Sequence, residues 1–275
     1  MFAYDQNAPL DVQVAGIEAR DGVSIRDLSY TSVDGSRVAA YLVAPSKQGK
    51  FAGIVFLHGG EQDRSDFLNE ALSLVEIGAI SLLIDEPSVR TMPLLTDPEA
   101  DYERYIQIIL KLRRGLDLLL SRPDIEPKRI GYIGLSFGAW MGAVLSGIEN
   151  RVKTYILIAG MPRMTDFLRS HNHPNIVQIR KSLTAEQLEH YLRVTAPLDP
   201  INFISRASPA SLFFQFARQD EAISESAALQ FSQAASEPKL VKWYDAQHHD
   251  IFINATALHD RTEWLREHLK RRAAT

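Results

Sequence analysis

From residue 51 onward, short, mostly apolar runs alternate with stretches whose apolar positions recur every three or four residues. The runs are 51–57, 79–85, 129–135, 154–160, 210–217 and 240–244. A run with no polar face suits a strand covered on both sides, the condition of a parallel sheet. The periodic stretches suit amphipathic helices. They are 67–78 through Leu68, Ala71, Leu72 and Val75, and 101–120 through Tyr102, Tyr105, Ile106, Ile109, Leu112, Leu116 and Leu119. Two more are 224–235 and 257–271, the latter with Leu258, Trp264, Leu265 and Leu269 inward. Strands alternating with helices predict an α/β fold: a mostly parallel central sheet with helices on both faces.

Three segments break this rhythm. Residues 1–22 have little periodicity and are expected to form an arm or short helix against the body. Residues 24–32 and 37–44 alternate loosely around Asp34-Gly35, a frequent hairpin pair, and predict an antiparallel start to the sheet. Residues 161–207 are too long for a simple crossover and predict a small helical cap insertion within a single domain, 1–275. Thr184 and Gln187 have capping-box spacing for a helix at 185–193. Residues 45–50 and 87–99 read as loops and 124–128 as a connector, with Asp85-Glu86-Pro87 expected to cap the loop that follows.

The strand at 129–135 runs directly into Gly134-Leu135-Ser136-Phe137-Gly138 and then a helix rich in small residues, with Ala139, Gly142 and Ala143. This is the G-x-S-x-G pattern, in which a serine sits on a sharp strand-to-helix turn. Its backbone there is strained, and side chains two positions away on either side would strike neighbouring backbone, so glycine is required at both. The helix start turns unbonded N–H groups and a positive dipole end toward the serine. A second glycine turn, His58-Gly59-Gly60-Glu61, closes the strand at 51–57. Acyl transfer needs two N–H donors from separate places for its oxyanion. Phe137 and Gly60 are the candidates, with Glu61 as an alternative donor and substrate-facing residue.

A serine hydroxyl needs a base in contact, and that base needs an acid to orient it. Asp220 follows one strand, with Glu221 as its rival; His248 and His249 follow the last strand. With Ser136 these would meet at the C-terminal edge of one sheet. His248 is preferred as the base for its shorter distance past the strand, and His249 is the alternative. Trp140, Met161, Met164 and Phe252 are candidates for an apolar substrate pocket. His171 and His173 have the right chemistry for metal ligands, but no third ligand lies nearby, so a solvated loop is expected and no metal or cofactor.

Composition narrows the reading. There are no cysteines, which excludes a thiol nucleophile, disulfides and thiolate metal sites. The formal charge of -4 comes without long runs of either sign and recommends neither nucleic acid nor an anionic membrane as partner. No apolar stretch approaches the roughly 20 residues needed to span a bilayer, and residues 1–10 lack a signal-peptide pattern, so a cytoplasmic protein is expected. A small-molecule ester substrate is expected; a homo-oligomer is allowed by the edge strands and last helix but not specified.

The residues His58-Gly59-Gly60, Arg129-Ile130-Gly131 leading into Gly134-Leu135-Ser136-Phe137-Gly138, Pro209-Ala210 entering a strand that leads to Asp220-Glu221, and Tyr244-Asp245-Ala246-Gln247-His248 resemble the α/β-hydrolase superfamily. The likeness covers about residues 24–270 and is nearest to dienelactone-hydrolase-like esterases and the catalytic domain of acylaminoacyl peptidases. It implies a serine hydrolase acting on carboxylic esters. Dienelactone hydrolases carry a cysteine nucleophile, which this chain lacks, and no propeller precedes the hydrolase-like residues, so size-filtered peptidase action is not expected. An acyltransferase or peptidase with the same three residues, or a non-catalytic binding protein of this fold, is the alternative.

Overall fold

The computed structural model describes residues 1–90, 97–171 and 174–270. Its strands are β1 (Gln13–Arg20), β2 (Val23–Thr31), β3 (Arg37–Pro45), β4 (Phe51–Leu57), β5 (Ala79–Ile84), β6 (Ile125–Leu135), β7 (Thr154–Ile158), β8 (Ser211–Ala217) and β9 (Lys239–Tyr244). They form one sheet in the order β1-β2-β3-β5-β4-β6-β7-β8-β9. The β1–β2, β2–β3 and β3–β5 pairs are antiparallel, and all other pairs are parallel.

Side chains along the parallel strands alternate between two cores, which is why no polar face appears in the sequence. Val55, Leu57, Leu82, Tyr132, Leu157 and Phe214 face one core. They pack there with α2 (Pro98–Leu120), α3 (Phe137–Ser146) and α7 (Glu225–Ala234). Ile54, Phe56, Leu83, Ile133, Ile156 and Phe213 face the other, under α1 (Leu68–Leu74) and α8 (Ala255–His268). Both layers are apolar from β4 through β8, the mark of a sheet buried on both faces.

From β4 the chain crosses to β5 on one side, then returns past β4 to β6 on the other. The strand order therefore reverses between β4 and β6, and a crevice opens beyond their C-terminal ends. Leu57 pairs with Gly134 at that edge, so the turns after both strands emerge side by side.

Two expectations are corrected. Residues 13–20 form strand β1 instead of an arm or helix; all eight residues are exposed, so no hydrophobic face signalled it, and its pairing with β2 holds it. The connector at 124–128 is largely strand: β6 begins at Ile125, which pairs with Phe51 across an irregularity in register. Part of the loop at 87–99 and the last residue of the predicted terminal helix lie outside the described residues.

The 161–207 segment contains α4 (Met164–Ser170), α5 (Pro174–Ser182) and α6 (Ala185–Thr195), followed by three single helical turns. Thr184 and Gln187 cap α6 reciprocally, as their spacing predicts. Asp199 ties the segment together. Its Oδ1 accepts the N–H groups of Met164 and Thr165 at 2.9 and 3.3 Å, and its Oδ2 accepts the Thr165 hydroxyl at 2.6 Å. Burial pushes the Asp199 carboxyl up to about 6, against the pull of those donors. A carboxyl raised on folding contributes most below its unfolded value of 3.8 and loses that contribution as pH rises through about 6. Asp199→Asn keeps an acceptor for the two N–H groups and a donor for Thr165. Thermal melts should find it more stable than the parent at pH 7.5, by on the order of 1–3 kcal/mol, with the gain shrinking toward pH 4.

Candidate active site

Ser136 sits between β6 and α3 with φ 50° and ψ -106°. It is the one residue from Gly131 through Trp140 that is not fully buried. A positive φ is costly for a residue with a Cβ, and such strain persists only where the surroundings enforce it. The enforcement is visible. A Cβ on Gly134 would lie 2.3 Å from the Gly138 carbonyl oxygen, and one on Gly138 would lie 2.1 Å from the Leu57 carbonyl oxygen. The Ser136 N–H donates to Ile158 O at 2.8 Å, and the Tyr132 hydroxyl donates to Gly138 O at 2.7 Å. The turn is thus clamped between β4, β6 and β7.

Three side chains that are far apart in sequence meet here. Ser136 Oγ is 2.9 Å from His248 Nε2, and His248 Nδ1 is 2.9 Å from both carboxylate oxygens of Asp220. Asp220 Oδ1 also accepts the N–H groups of Ala222 and Ile223 at 2.9 and 2.7 Å, which orients the carboxylate. His248 and Asp220 are almost fully buried, with side chains 5% and 3% exposed. This geometry gives Nδ1 the proton and leaves Nε2 to accept from the serine hydroxyl. His249 lies next door, exposed, its ring edge-on to that of His248, and the hydrogen bonds to Ser136 and Asp220 are made by His248. Glu221 Oε2 accepts the backbone N–H of His248 at 3.3 Å, not its ring N–H.

The glycine turn after β4 is built on His58. Its buried ring has Nδ1 2.7 Å from Gly59 O and Nε2 3.0 Å from the Glu86 N–H. One contact needs a donor and the other an acceptor, which fixes the neutral tautomer with hydrogen on Nδ1. Burial pulls the His58 pKa below its ordinary value, outweighing the Gly59 carbonyl and Asp85. Asp85 in turn pairs with Arg90 at 2.7 Å, and Glu86 caps the short turn after it through the Ser88 N–H at 3.2 Å. The expected capping role of Asp85-Glu86-Pro87 is therefore met by Glu86. Gly60 is half-buried, and a Cβ there would meet nothing within 4 Å, so it borders open space. Phe137 is the first residue of α3, where N–H groups have no intrahelical partner. Glu61 is exposed.

The apolar candidates divide. Met161 lines a cavity of about 760 Å³ with Phe167, His171, Asp220, Glu221 and Ile223, between α4 and the start of α7. Met164 is buried at the start of α4, beside the Asp199 cap. Trp140 is core: its indole N–H donates to Leu198 O at 3.2 Å and its ring packs edge-on against Tyr105 and Phe137. Phe252 packs on Phe67 in the α1/α8 core, away from the cavity. Apolar residue type alone did not distinguish lining from core. His171 stacks on Phe167, with Nε2 3.2 Å from Glu221 O; His173 lies outside the described residues. Among the described residues no group of three or more His, Asp or Glu side chains could hold a metal ion.

The elbow contacts generate a paired prediction. Gly138→Ala must displace backbone and should destabilise the protein by at least about 2 kcal/mol in denaturant melts. Gly60→Ala, facing open space, should stay within about 0.5 kcal/mol of the parent.

No family model matches the chain. Among curated proteins it is 22% identical over 229 residues to "Putative hydrolase YtaP" of Bacillus subtilis (strain 168), covering 74% of this chain and 77% of that protein. Among solved structures it is similar to an acetyl xylan esterase from Paenibacillus sp. R4, with a TM-score of 0.77, 23% identity, and 93% and 89% of the two chains covered. It is also similar to acetyl xylan esterase 1 from Thermoanaerobacterium sp. JW/SL YS485, with a TM-score of 0.78, 17% identity, and 97% and 90% covered. The reversed strand order, the strained serine turn after β6 and this extent of superposition agree: the chain has the α/β-hydrolase fold.

Proposed function

We propose that the protein is a serine hydrolase that cleaves carboxylic esters of small or medium acyl compounds through an acyl-enzyme. The observation that carries the reading is the continuous hydrogen-bonded line from the strained Ser136 through His248 to Asp220. The low-identity relatives named for ester hydrolysis point the same way.

In this reading His248 Nε2 takes the Ser136 proton as Oγ bonds to the acyl carbon. The carbonyl oxygen becomes an oxyanion, held by the N–H groups of Phe137 and Gly60. The oxyanion collapses, the ester C–O bond breaks, and the leaving alcohol takes the proton from His248. Water repeats the sequence on the acyl-serine: His248 accepts its proton, the acid departs and Ser136 is restored. Asp220 holds the ring tautomer and stabilises the imidazolium in both halves. The 161–207 segment, whose Met161 and Phe167 line a cavity that reaches Asp220 but has neither Ser136 nor His248 in its lining, acts as a cap.

Purified protein should hydrolyse short p-nitrophenyl esters and be labelled by a fluorophosphonate at Ser136. Ser136→Ala should lower kcat by at least about a thousandfold and abolish labelling, whereas His249→Ala should stay within about threefold of the parent. Turnover undiminished in Ser136→Ala would reject the assignment.

A further inference from the structure

Beneath the site, on the α1/α8 face of the sheet, lies a group of buried polar side chains for which the triad chemistry has no use. Arg261 of α8 is fully buried. Its Nε and Nη2 donate to the two carboxylate oxygens of Glu70 in α1, each at 2.9 Å. Its Nη1 donates to Gln215 Oε1 at 2.8 Å, and Nη2 also reaches Phe252 O at 2.6 Å. Gln215, itself fully buried on β8, donates to the Tyr244 hydroxyl at 2.9 Å and to Ala257 O at 3.0 Å. The Tyr244 hydroxyl donates to Asp260 Oδ2 at 2.8 Å.

Stability alone is a poor account of this arrangement. A buried ion pair replaced by apolar side chains of similar volume is often neutral or stabilising, so burial of Glu70 and Arg261 brings no obvious net gain. What the fork adds is direction. Apolar contact does not specify the register of a loop against a strand; a planar guanidinium with fixed donors does.

The elements it joins are those that carry the acid and the base. Gln215 lies on β8, five residues before Asp220 in the turn that follows the strand. Tyr244 ends β9 just before the loop that bears His248, and Phe252 lies four residues beyond it. The near end of that loop is held by Gln219 N–H donating to Ala246 O at 3.1 Å and by Glu221 on the His248 N–H. Arg261 holds the far end.

Resting on the serine-hydrolase reading, we infer that Arg261, seated on Glu70 and Gln215, is a positioning residue that sets the imidazole of His248 between Ser136 and Asp220. It touches no reacting atom. It acts by fixing the Phe252 carbonyl relative to β8, and so the loop that carries the base.

The test compares Glu70→Met/Arg261→Met, which removes both charges and leaves neither orphaned, with Arg261→Lys. A lysine keeps the charge opposite Glu70, but a single ammonium cannot reproduce the fork to Gln215 and Phe252. Each folded variant is assayed for ester turnover and for the rate of fluorophosphonate labelling. The double variant should melt within about 5 °C of the parent. Its kcat should fall by about tenfold to a hundredfold, with KM within about twofold, the loss expected when a base is misplaced without loss of substrate binding. Labelling should slow by the same factor, and Arg261→Lys should fall between the two. A folded variant with parental kcat and labelling rate, or one whose only change is a lower Tm, overturns the inference. If the double variant does not fold, Arg261→Lys decides alone: lowered kcat at constant KM supports the inference, and parental kcat overturns it. Parent protein that neither labels nor turns over ester overturns the hydrolase reading before any substitution is made, and the positioning role with it.

Discussion

One close backbone approach governs the rest of the site. The start of α3 lies against the ends of β4 and β6 so tightly that a Cβ at 138 would fall 2.1 Å from the Leu57 carbonyl oxygen. That contact requires glycine at 138, the approach of the Gly138 carbonyl requires glycine at 134, and between them Ser136 is held at positive φ. Because Leu57 and Gly134 are register partners, the same approach brings the glycine turn after β4 alongside the serine. Serine and glycine turn are therefore consequences of one packing arrangement at the point where the strand order reverses.

Four buried polar side chains around this arrangement make directional contacts. His58 spans from the β4 turn to the backbone after β5. Glu86 receives Lys111 from α2 at 2.8 Å. Asp199 gathers the start of α4. Arg261 joins α8, α1, β8 and the loop that bears His248. Each of these groups has a polar partner, as the cost of desolvation demands. Each connects segments that apolar packing alone would leave free to slide.

Much of this was legible beforehand because it is written in local patterns. Apolar runs without a polar face reported strands from β4 onward, and helical spacing reported α1, α2, α7 and α8. Asp34-Gly35 reported the hairpin, and the glycines flanking Ser136 reported a turn that tolerates no side chains. Strand β1 was invisible because none of its residues is buried, so no alternation was needed to form it. The roles of Trp140 and Phe252 were equally hidden. A large apolar side chain looks the same in sequence whether it fills a core or lines a cavity; Trp140 fills a core, and Phe252 packs, half-buried, against one.

By itself the sequence determined the alternation of elements, the layering of the sheet, the strained serine turn and the order in which serine, acid and histidine occur. These depend on neighbours within a few residues, where steric and hydrophobic periodicities act. Tertiary structure alone decided which histidine meets Ser136. His248 and His249 are adjacent and chemically identical, and only the direction in which the loop presents each ring separates a buried contact from an exposed one. It also decided that Glu221 bonds backbone while Asp220 bonds the ring, and that Glu70 and Arg261, 191 residues apart, form a buried pair. Those outcomes turn on distances of a few ångströms between segments remote along the chain, and no local pattern encodes them.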